Sequence, residues 1–184
     1  MTNRLFISLD LPDNILDDIV ALRNRLYNDE ENVRWESKEK LHITLKFLGD
    51  APSDLTEQII LTLKEIIKSS SEILLKPKRF GLFYRYKLPK ILWLGFKFDD
   101  NLFNLRNEIN LSFKKLGFEI DGKRFRPHIT LLRIKGNEDF NKIKQFLSSD
   151  LQINEFTCNQ ISLIKSELNR NGSVYTIIKS FNLN

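Results

Sequence analysis

This 184-residue chain has only two histidines, and each opens the same tetrapeptide: His42-Ile43-Thr44-Leu45 in "EKLHITLKFLGD" and His128-Ile129-Thr130-Leu131 in "RPHITLLRIKG". In an extended strand residues i and i+2 face the same way, so each histidine shares a face with a threonine while the isoleucine and leucine take the other. A single His-Thr pair on a half-exposed strand is ordinarily a satisfied histidine beside a β-former. Two copies that use every histidine in the protein ask for a chemical reason. An imidazole titrates near pH ~6.5, so a facing pair can supply both a general acid and a general base, which neither can do alone. The same period places Lys46 beside His42 and Thr44, and Phe47 with Leu41, Ile43 and Leu45 on the greasy face.

The elements around the two motifs also recur. "RLFISLDLPDNILDDIVALRNRL" aligns with "ILWLGFKFDDNLFNLRNEINLSF", Leu5-Phe6-Ile7 against Leu92-Trp93-Leu94 and Asp13-Asn14 against Asp100-Asn101. Each begins as a strand and becomes a helix: Ile15, Ile19, Leu22 and Leu26, like Leu102, Leu105, Ile109, Phe113 and Leu116, recur at steps of three or four. The histidines lie 86 residues apart and the Asp-Asn pairs 87 apart, so equal spacing predicts equal architecture. After the first motif, "SDLTEQIILTLKEIIKSS" predicts a helix with Ser53 as N-cap and Leu55, Ile59, Leu63 and Ile66 along one stripe. Its counterpart is "NEDFNKIKQFLSS", patterned through Phe140, Ile143 and Phe146. Further strands are expected at "EILLKPKRF", "QISLIKSEL" and "VYTIIKSFN", the last two as a hairpin around "NRNG". The order is strand, helix, strand, helix, strand, carried out twice. Two such α+β halves facing one another about a pseudo-dyad would form a cleft with a histidine on each wall.

Composition sets the class. Apolar content of 41% and charged content of 29% belong to a folded chain. Asp10 ends the opening apolar alternation too early for a secretory core, and no window nears the ~18 apolar residues of a membrane span. A cytoplasmic protein that does not span a membrane is expected. Cys158, the one cysteine, excludes an intramolecular disulfide or a cysteine metal cluster and reads as a small buried residue near a strand. A net charge of +5 suits a polyanionic ligand without establishing one.

The ordered set "RLFISLDLP", "LHITLKFLG", "ILWLGF", "FRPHITLLR" and "SELNRNGSVYTIIKSF" resembles the two-histidine (2H) phosphoesterases, in particular the RNA 2′,3′-cyclic phosphodiesterases, also called 2′-5′ RNA ligase-like proteins. The resemblance spans nearly the whole chain. It implies an α+β, bilobal, pseudo-two-fold fold: each lobe an antiparallel sheet with helices on its outer face, the catalytic cleft between them. Residues 1–184 would form one such domain, with sequence repeats at approximately 4–83 and 91–166. It also implies metal-independent hydrolysis of RNA 2′,3′-cyclic phosphate ends to 2′-phosphates, without a cofactor, by a monomer, with tRNA fragments among its substrates. His42 and His128 would be acid and base, Thr44 and Thr130 would hold phosphate oxygens, and Arg133 would add a positive contact. The family yields a 2′-phosphate, which makes His42 the proton donor to the departing 3′-oxygen and His128 the acceptor; local sequence leaves the assignment open. One departure is Gly81-Leu82-Phe83-Tyr84 where the family's loop reads Gly-x-Phe-Pro, which touches the shape of the substrate entrance.

Two features stay open at this level. Arg133, five residues after His128, has the wrong parity for a regular strand: either the strand ends or bulges there, or the side chain reaches around. The segment "KPKRFGLFYRYKLPK" carries cations and aromatics without an acid; Lys78, Arg79, Phe83, Tyr84 and Arg85, with Lys46, are candidate RNA contacts, or the segment is a solvated basic loop anchored by its rings. Arg124 and Arg126, with Lys123, offer a second phosphate track. Zinc hydrolysis competes poorly, because two histidines without a His-Glu-x-x-His cluster do not supply a ligand set. A non-catalytic RNA-binding module would share the basic surface but has no use for paired proton-transfer groups, and 2′-5′ end ligation is the reverse chemistry of the same site.

Overall fold

The computed structural model describes residues 1–27, 33–122, 124–170 and 172–184, so Lys123 of the expected phosphate track and Asn171 of the expected hairpin turn lie outside the described residues. Alternation at Leu5, Ile7 and Leu9 turns one face of β1 (Thr2–Leu9) into the core. The stripe Ile15, Ile19 and Leu22 does the same for α1 (Asp13–Leu26). Next come β2 (Ile43–Pro52), α2 (Thr56–Ile67), β3 (Ile73–Leu75) and β4 (Pro77–Arg85). The second round is β5 (Leu88–Phe96), α3 (Asp100–Lys115), β6 (His128–Arg133), α4 (Phe140–Ser148), β7 (Phe156–Cys158) and β8 (Gln160–Asn169), and β9 (Gly172–Asn182) closes a hairpin on β8. Asp99 caps α3 by accepting from the Leu102 amide at 2.8 Å, and Asp139 caps α4 from the Asn141 amide at 2.8 Å.

The larger sheet runs β4-β5-β6-β2-β1-β8-β9 with all neighbours antiparallel, and at its centre β2 meets β6 through one register pair, Ile43 with Ile129. That seam is the pseudo-dyad: exchanging β1 with β5, β2 with β6 and β8 with β4 maps one half-sheet on the other. The halves are interleaved in the chain. β4 closes the first repeat yet pairs with β5, and β8 closes the second yet pairs with β1. Packing crosses the seam too, α1 against α4 and α2 against α3, and β3 pairs with β7. One continuous apolar core under both half-sheets ties the elements together, leaving the opposite sheet face for a cleft. Neither lobe can swing away without breaking ladder hydrogen bonds and core packing.

Local expectations are corrected at three points. Ser53 starts a 3₁₀ turn, Ser53–Leu55, and makes no side-chain cap; α2 begins at Thr56. "EILLKPKRF" is two strands in two ladders, because β3 pairs with β7 before the chain crosses to β5 as β4. Phe140 sits at the first helical position of α4, 37% exposed, with the Lys144 ammonium 5.1 Å from its ring, so the buried stripe there reduces to Ile143 and Phe146. Cys158 is fully buried in β7, and burial pushes its thiol up to about 12. Among the described residues no helix is long and apolar enough to cross a membrane.

Gly81 and the Trp93 opposite it form a cross-strand pair in which the indole lies along the sheet: a Cβ added at Gly81 would fall 2.2 Å from Trp93 Cζ2, and one at Gly95 2.6 Å from Cζ3. Gly81→Ala is therefore expected to displace the indole and cost about 1–3 kcal/mol. The check is a lower urea midpoint at unchanged slope; an unaltered midpoint would mean the ring has other room.

Candidate active site

The same irregularity follows both His-x-Thr motifs. On β2, Thr44 pairs with Ser8 but the next β1 residue, Ile7, pairs with Lys46, leaving Leu45 as an extra residue. On β6, Thr130 pairs with Trp93 and Leu132 with Leu92, leaving Leu131 extra. A bulge shifts side-chain parity by one. After each one, the residue five past the histidine returns to the histidine's face. That residue is Arg133 in one strand and Phe47 in the other, so the awkward parity of Arg133 is resolved by a bulge.

The bulge also corrects the expected faces of β2. Phe47 leaves the greasy face and is 64% exposed, its ring 5.8 Å from that of Phe6. Lys46 turns to the α3 side, 1% exposed, where its ammonium donates to Asn110 Oδ1 at 2.8 Å and to the Glu119 carbonyl at 2.6 Å. Lys46 also lines the cleft that holds both histidines, and these two bonds make its ammonium an anchor for the segment that leads to Arg124, Arg126 and His128. Burial lowers its pKa first, Asp121 opposing and Arg106 adding to the shift.

The two imidazoles are held alike. His128 Nδ1 lies 2.7 Å from the Arg126 carbonyl, and His42 hydrogen-bonds the Lys40 carbonyl, again two residues back. Donation to a carbonyl fixes the tautomer and frees Nε2 for chemistry. His42 Nε2 is 3.2 Å from Thr44 Oγ1. His42 stacks on Phe6 at 5.0 Å and meets the edge of Tyr175 at 5.7 Å, while Phe83 packs edge-on to His128 at 4.9 Å. This packing leaves both histidines half-buried. Burial draws His42 down to about 4, helped by Arg133 and His128 and opposed by the Lys40 carbonyl and the Asp10 carboxylate. His128 is lowered by burial and Arg133 against the Arg126 carbonyl, with no carboxylate in its support. Asp10 itself is held by Ser8 Oγ at 2.7 Å, Gln160 Nε2 at 3.1 Å and the Ser162 hydroxyl.

Both histidines, both threonines, Arg133, Arg124 and Arg126 line one cleft of about 790 Å³. Arg133 Nε donates to Glu36 Oε1 at 2.9 Å. Glu36 arrives because its amide bonds the Leu131 carbonyl at 2.9 Å, at the bulged residue itself. Tyr175, on β9, closes the same wall and hydrogen-bonds Arg133; burial raises its phenol pKa, Glu36 adding to the shift. Of the basic-aromatic segment, Phe83 reaches the cleft, Lys78 and Arg79 line a neighbouring cavity, and Tyr84 and Arg85 are exposed near the β4–β5 turn, outside both. Gly81-Leu82-Phe83-Tyr84 lies within β4, with a register shift between Phe83 and Tyr84, and so is strand here. Sequence reasoning missed Asp10, Glu36, Phe6 and Tyr175 as site residues. Tyr175 lay inside the quoted "SELNRNGSVYTIIKSF" and Phe6 and Asp10 inside "RLFISLDLP", whereas Glu36 lay in none of the quoted motifs. Among the described residues no three His, Cys, Asp or Glu side chains group as metal ligands.

Comparison with known proteins agrees with this geometry. The chain is 30% identical to an RNA 2′,3′-cyclic phosphodiesterase of Methanocaldococcus jannaschii over 97% of its own length and 99% of the relative's. It is 34% identical to one of Aquifex aeolicus, over 82% and 81%. Among solved structures, the crystal structure of E. coli LigT complexed with 3′-AMP superposes with a TM-score of 0.76 at 25% identity, over 100% of this chain and 99% of that one. The family described as LigT like Phosphoesterase matches residues 9–93 and 97–175, one match for each histidine motif. Two bulged His-x-Thr strands facing across a pseudo-dyad, with both halves matched, make the chain a member of the LigT-like phosphoesterase family of the 2H superfamily.

Proposed function

We propose that this protein hydrolyses RNA 2′,3′-cyclic phosphate ends to 2′-phosphates, using His42 and His128 as its proton-transfer groups and no metal. The observation that carries the proposal is the equivalent presentation of two half-buried imidazoles, each with a hydroxyl two residues on, into a cleft that also holds Arg133. The full-length relatives that bear the name of this activity support it.

A cyclic phosphate already holds its leaving oxygen in a five-membered ring, so the work is proton transfer and charge compensation. Water attacks phosphorus and gives its proton to His128 Nε2; the P–O3′ bond breaks as His42 protonates the 3′-oxygen. The phosphorus stays on the 2′-oxygen, and the proton on His128 returns to His42 through solvent. Thr44 and Thr130 donate to non-bridging oxygens, each worth about 3 kcal/mol of barrier, and Arg133 balances the anion. Asp10 raises His42 only against the larger effect of burial, which draws that ring to about 4, so the direction of proton transfer rests on the 2′-phosphate product that the family resemblance implies. With RNA as substrate and Cys158 as a lone buried thiol, a monomer working in the cytoplasm, on tRNA fragments among other ends, is the corresponding setting.

The decisive assay incubates a short RNA ending in a 2′,3′-cyclic phosphate with the protein in chelator and no nucleoside triphosphate, reading the product by phosphorus NMR against 2′- and 3′-phosphate standards. A 2′-phosphate is expected; a predominant 3′-phosphate would reverse the leaving group, and joined ends would point to ligation. His42→Ala and His128→Ala are each expected to lower turnover about 100-fold or more while RNA binding persists. Equal loss of binding and turnover would instead favour a binding module.

The pH dependence follows from both shifts. Because both imidazoles sit below their ordinary value, one neutral and one protonated ring coexist on the acid side, so the kcat/KM profile of the free enzyme is expected to peak below pH ~6.5. Asp10→Asn removes a contribution that raises His42 and should move the profile further to acid. A profile centred above the ordinary imidazole value, or one indifferent to Asp10, would contradict this charge arrangement.

A further inference from the structure

The cleft does not end at the histidines. At Arg106, Gly122, Arg124, Phe125 and Arg126 it shares a wall with a second cavity of about 600 Å³, which continues to Lys78 and Arg79 at the start of β4. Among the described residues lining this second cavity there are five cations and no carboxylate. By contrast, the first cavity includes Glu36 and Asp121. At its rim Phe98, 67% exposed, lies with its ring 5.4 Å from that of Phe103, 37% exposed. An exposed aromatic pair beside an uninterrupted row of cations is costly to leave in water and matches an unpaired base with its phosphate. Arg106, which separates the cavities, is 7% exposed, holds Asp121 at only 3.4 Å and has no partner for its Nε among the described residues.

We propose that this second cavity binds the nucleotides on the 5′ side of the reacting end, Phe98 stacking a base and Lys78, Arg79 and Arg124 meeting phosphates, so that the enzyme prefers an RNA chain to a mononucleotide. The proposal rests on the reaction proposed above. A cyclic phosphate is by nature a 3′ terminus, so the chain leaves the reacting phosphorus in one direction only. Lys78 and Arg79 are four to five residues along β4 from Phe83, which touches His128, or roughly 15 Å at strand spacing. That distance lies beyond a single nucleoside and within reach of a short chain. Charge favours this exit, where Arg106 pairs with the one carboxylate, Asp121, and four further cations follow, while the opposite wall closes on Glu36 and Tyr175.

The test compares cytidine 2′,3′-cyclic phosphate with a short fluorescein-labelled oligocytidylate carrying the same end. The intact protein should show a higher kcat/KM on the oligonucleotide. Phe98→Ala should lower that value about 10-fold while leaving the mononucleotide within about two-fold, the loss expected of one stacked base. Lys78→Glu should flatten the dependence of oligonucleotide affinity on salt, by about 0.7 in log-log slope for one phosphate contact. A fall on both substrates alike, or on neither, overturns the second cavity as an RNA subsite. If the intact protein hydrolyses neither substrate, the proposed reaction fails, and fluorescence anisotropy then decides the subsite alone. Weaker oligonucleotide binding by Phe98→Ala and Lys78→Glu supports it, and unchanged binding rejects it.

Discussion

One extra residue in each of two strands organises the cleft. Without Leu45 and Leu131 as bulges, strict alternation would send Arg133 and Phe47 into the core and bring Lys46 and Leu132 to the histidine face. Each bulge instead buries two successive residues after the threonine and returns the next one to the cleft. On β6 the bulged residue also carries the carbonyl that takes the Glu36 amide, so the partner of Arg133 is delivered by the irregularity that delivers Arg133. Interleaving of the halves keeps the two strands facing, since β4 and β8 each tie the end of one repeat to the sheet of the other.

Partial burial of both rings is the second consequence. Phe6, Tyr175 and Phe83 pack the imidazoles closely enough that charge on either ring is disfavoured. An anionic phosphate between the rings offsets that penalty and makes a protonated ring cheaper than in the free protein. Binding and proton loading are thereby coupled. The bonds from the rings to the Lys40 and Arg126 carbonyls hold both imidazoles in place while the charge changes.

The two histidine-threonine pairs were legible because their signal is local: residue type, i to i+2 spacing and recurrence at a nearly constant offset. The helices were legible for the same reason, through stripes that Ile19, Leu63, Ile109 and Phe113 carry into the core. What escaped depends on pairing. A period of two carried through Leu45 put Lys46 and Phe47 on the wrong faces, and the one trace of a bulge was the parity of Arg133. Asp10, Glu36 and Phe6 reach the site through partners far away in sequence, so even the motif "RLFISLDLP", which holds Phe6 and Asp10, does not by itself show that they meet His42. The crossing of β4 and β8 between halves was equally hidden, because "EILLKPKRF" reads as one strand until the partners of its two parts are known.

A pseudo-symmetric cleft has a difficulty of its own: two equivalent walls would accept a phosphodiester in either of two orientations, and half the encounters would present the wrong oxygen to the acid. Symmetry is broken where chemistry needs it. Two residues past each bulged leucine, Arg133 faces the cleft on one wall and Phe47 on the other, a charge against a ring. At the end of the first strand of each repeat the amide bonds a carbonyl across the ladder, Asp10 to Gln160 at 2.9 Å and Lys97 to Lys76 at 2.8 Å. The backbones are alike and the side chains opposite in sign. The Asp10 carboxylate raises His42 against the larger effect of burial, while Lys97 is exposed and lies outside the cleft, so the duplicated fold supplies two imidazoles in surroundings that differ by one charged neighbour.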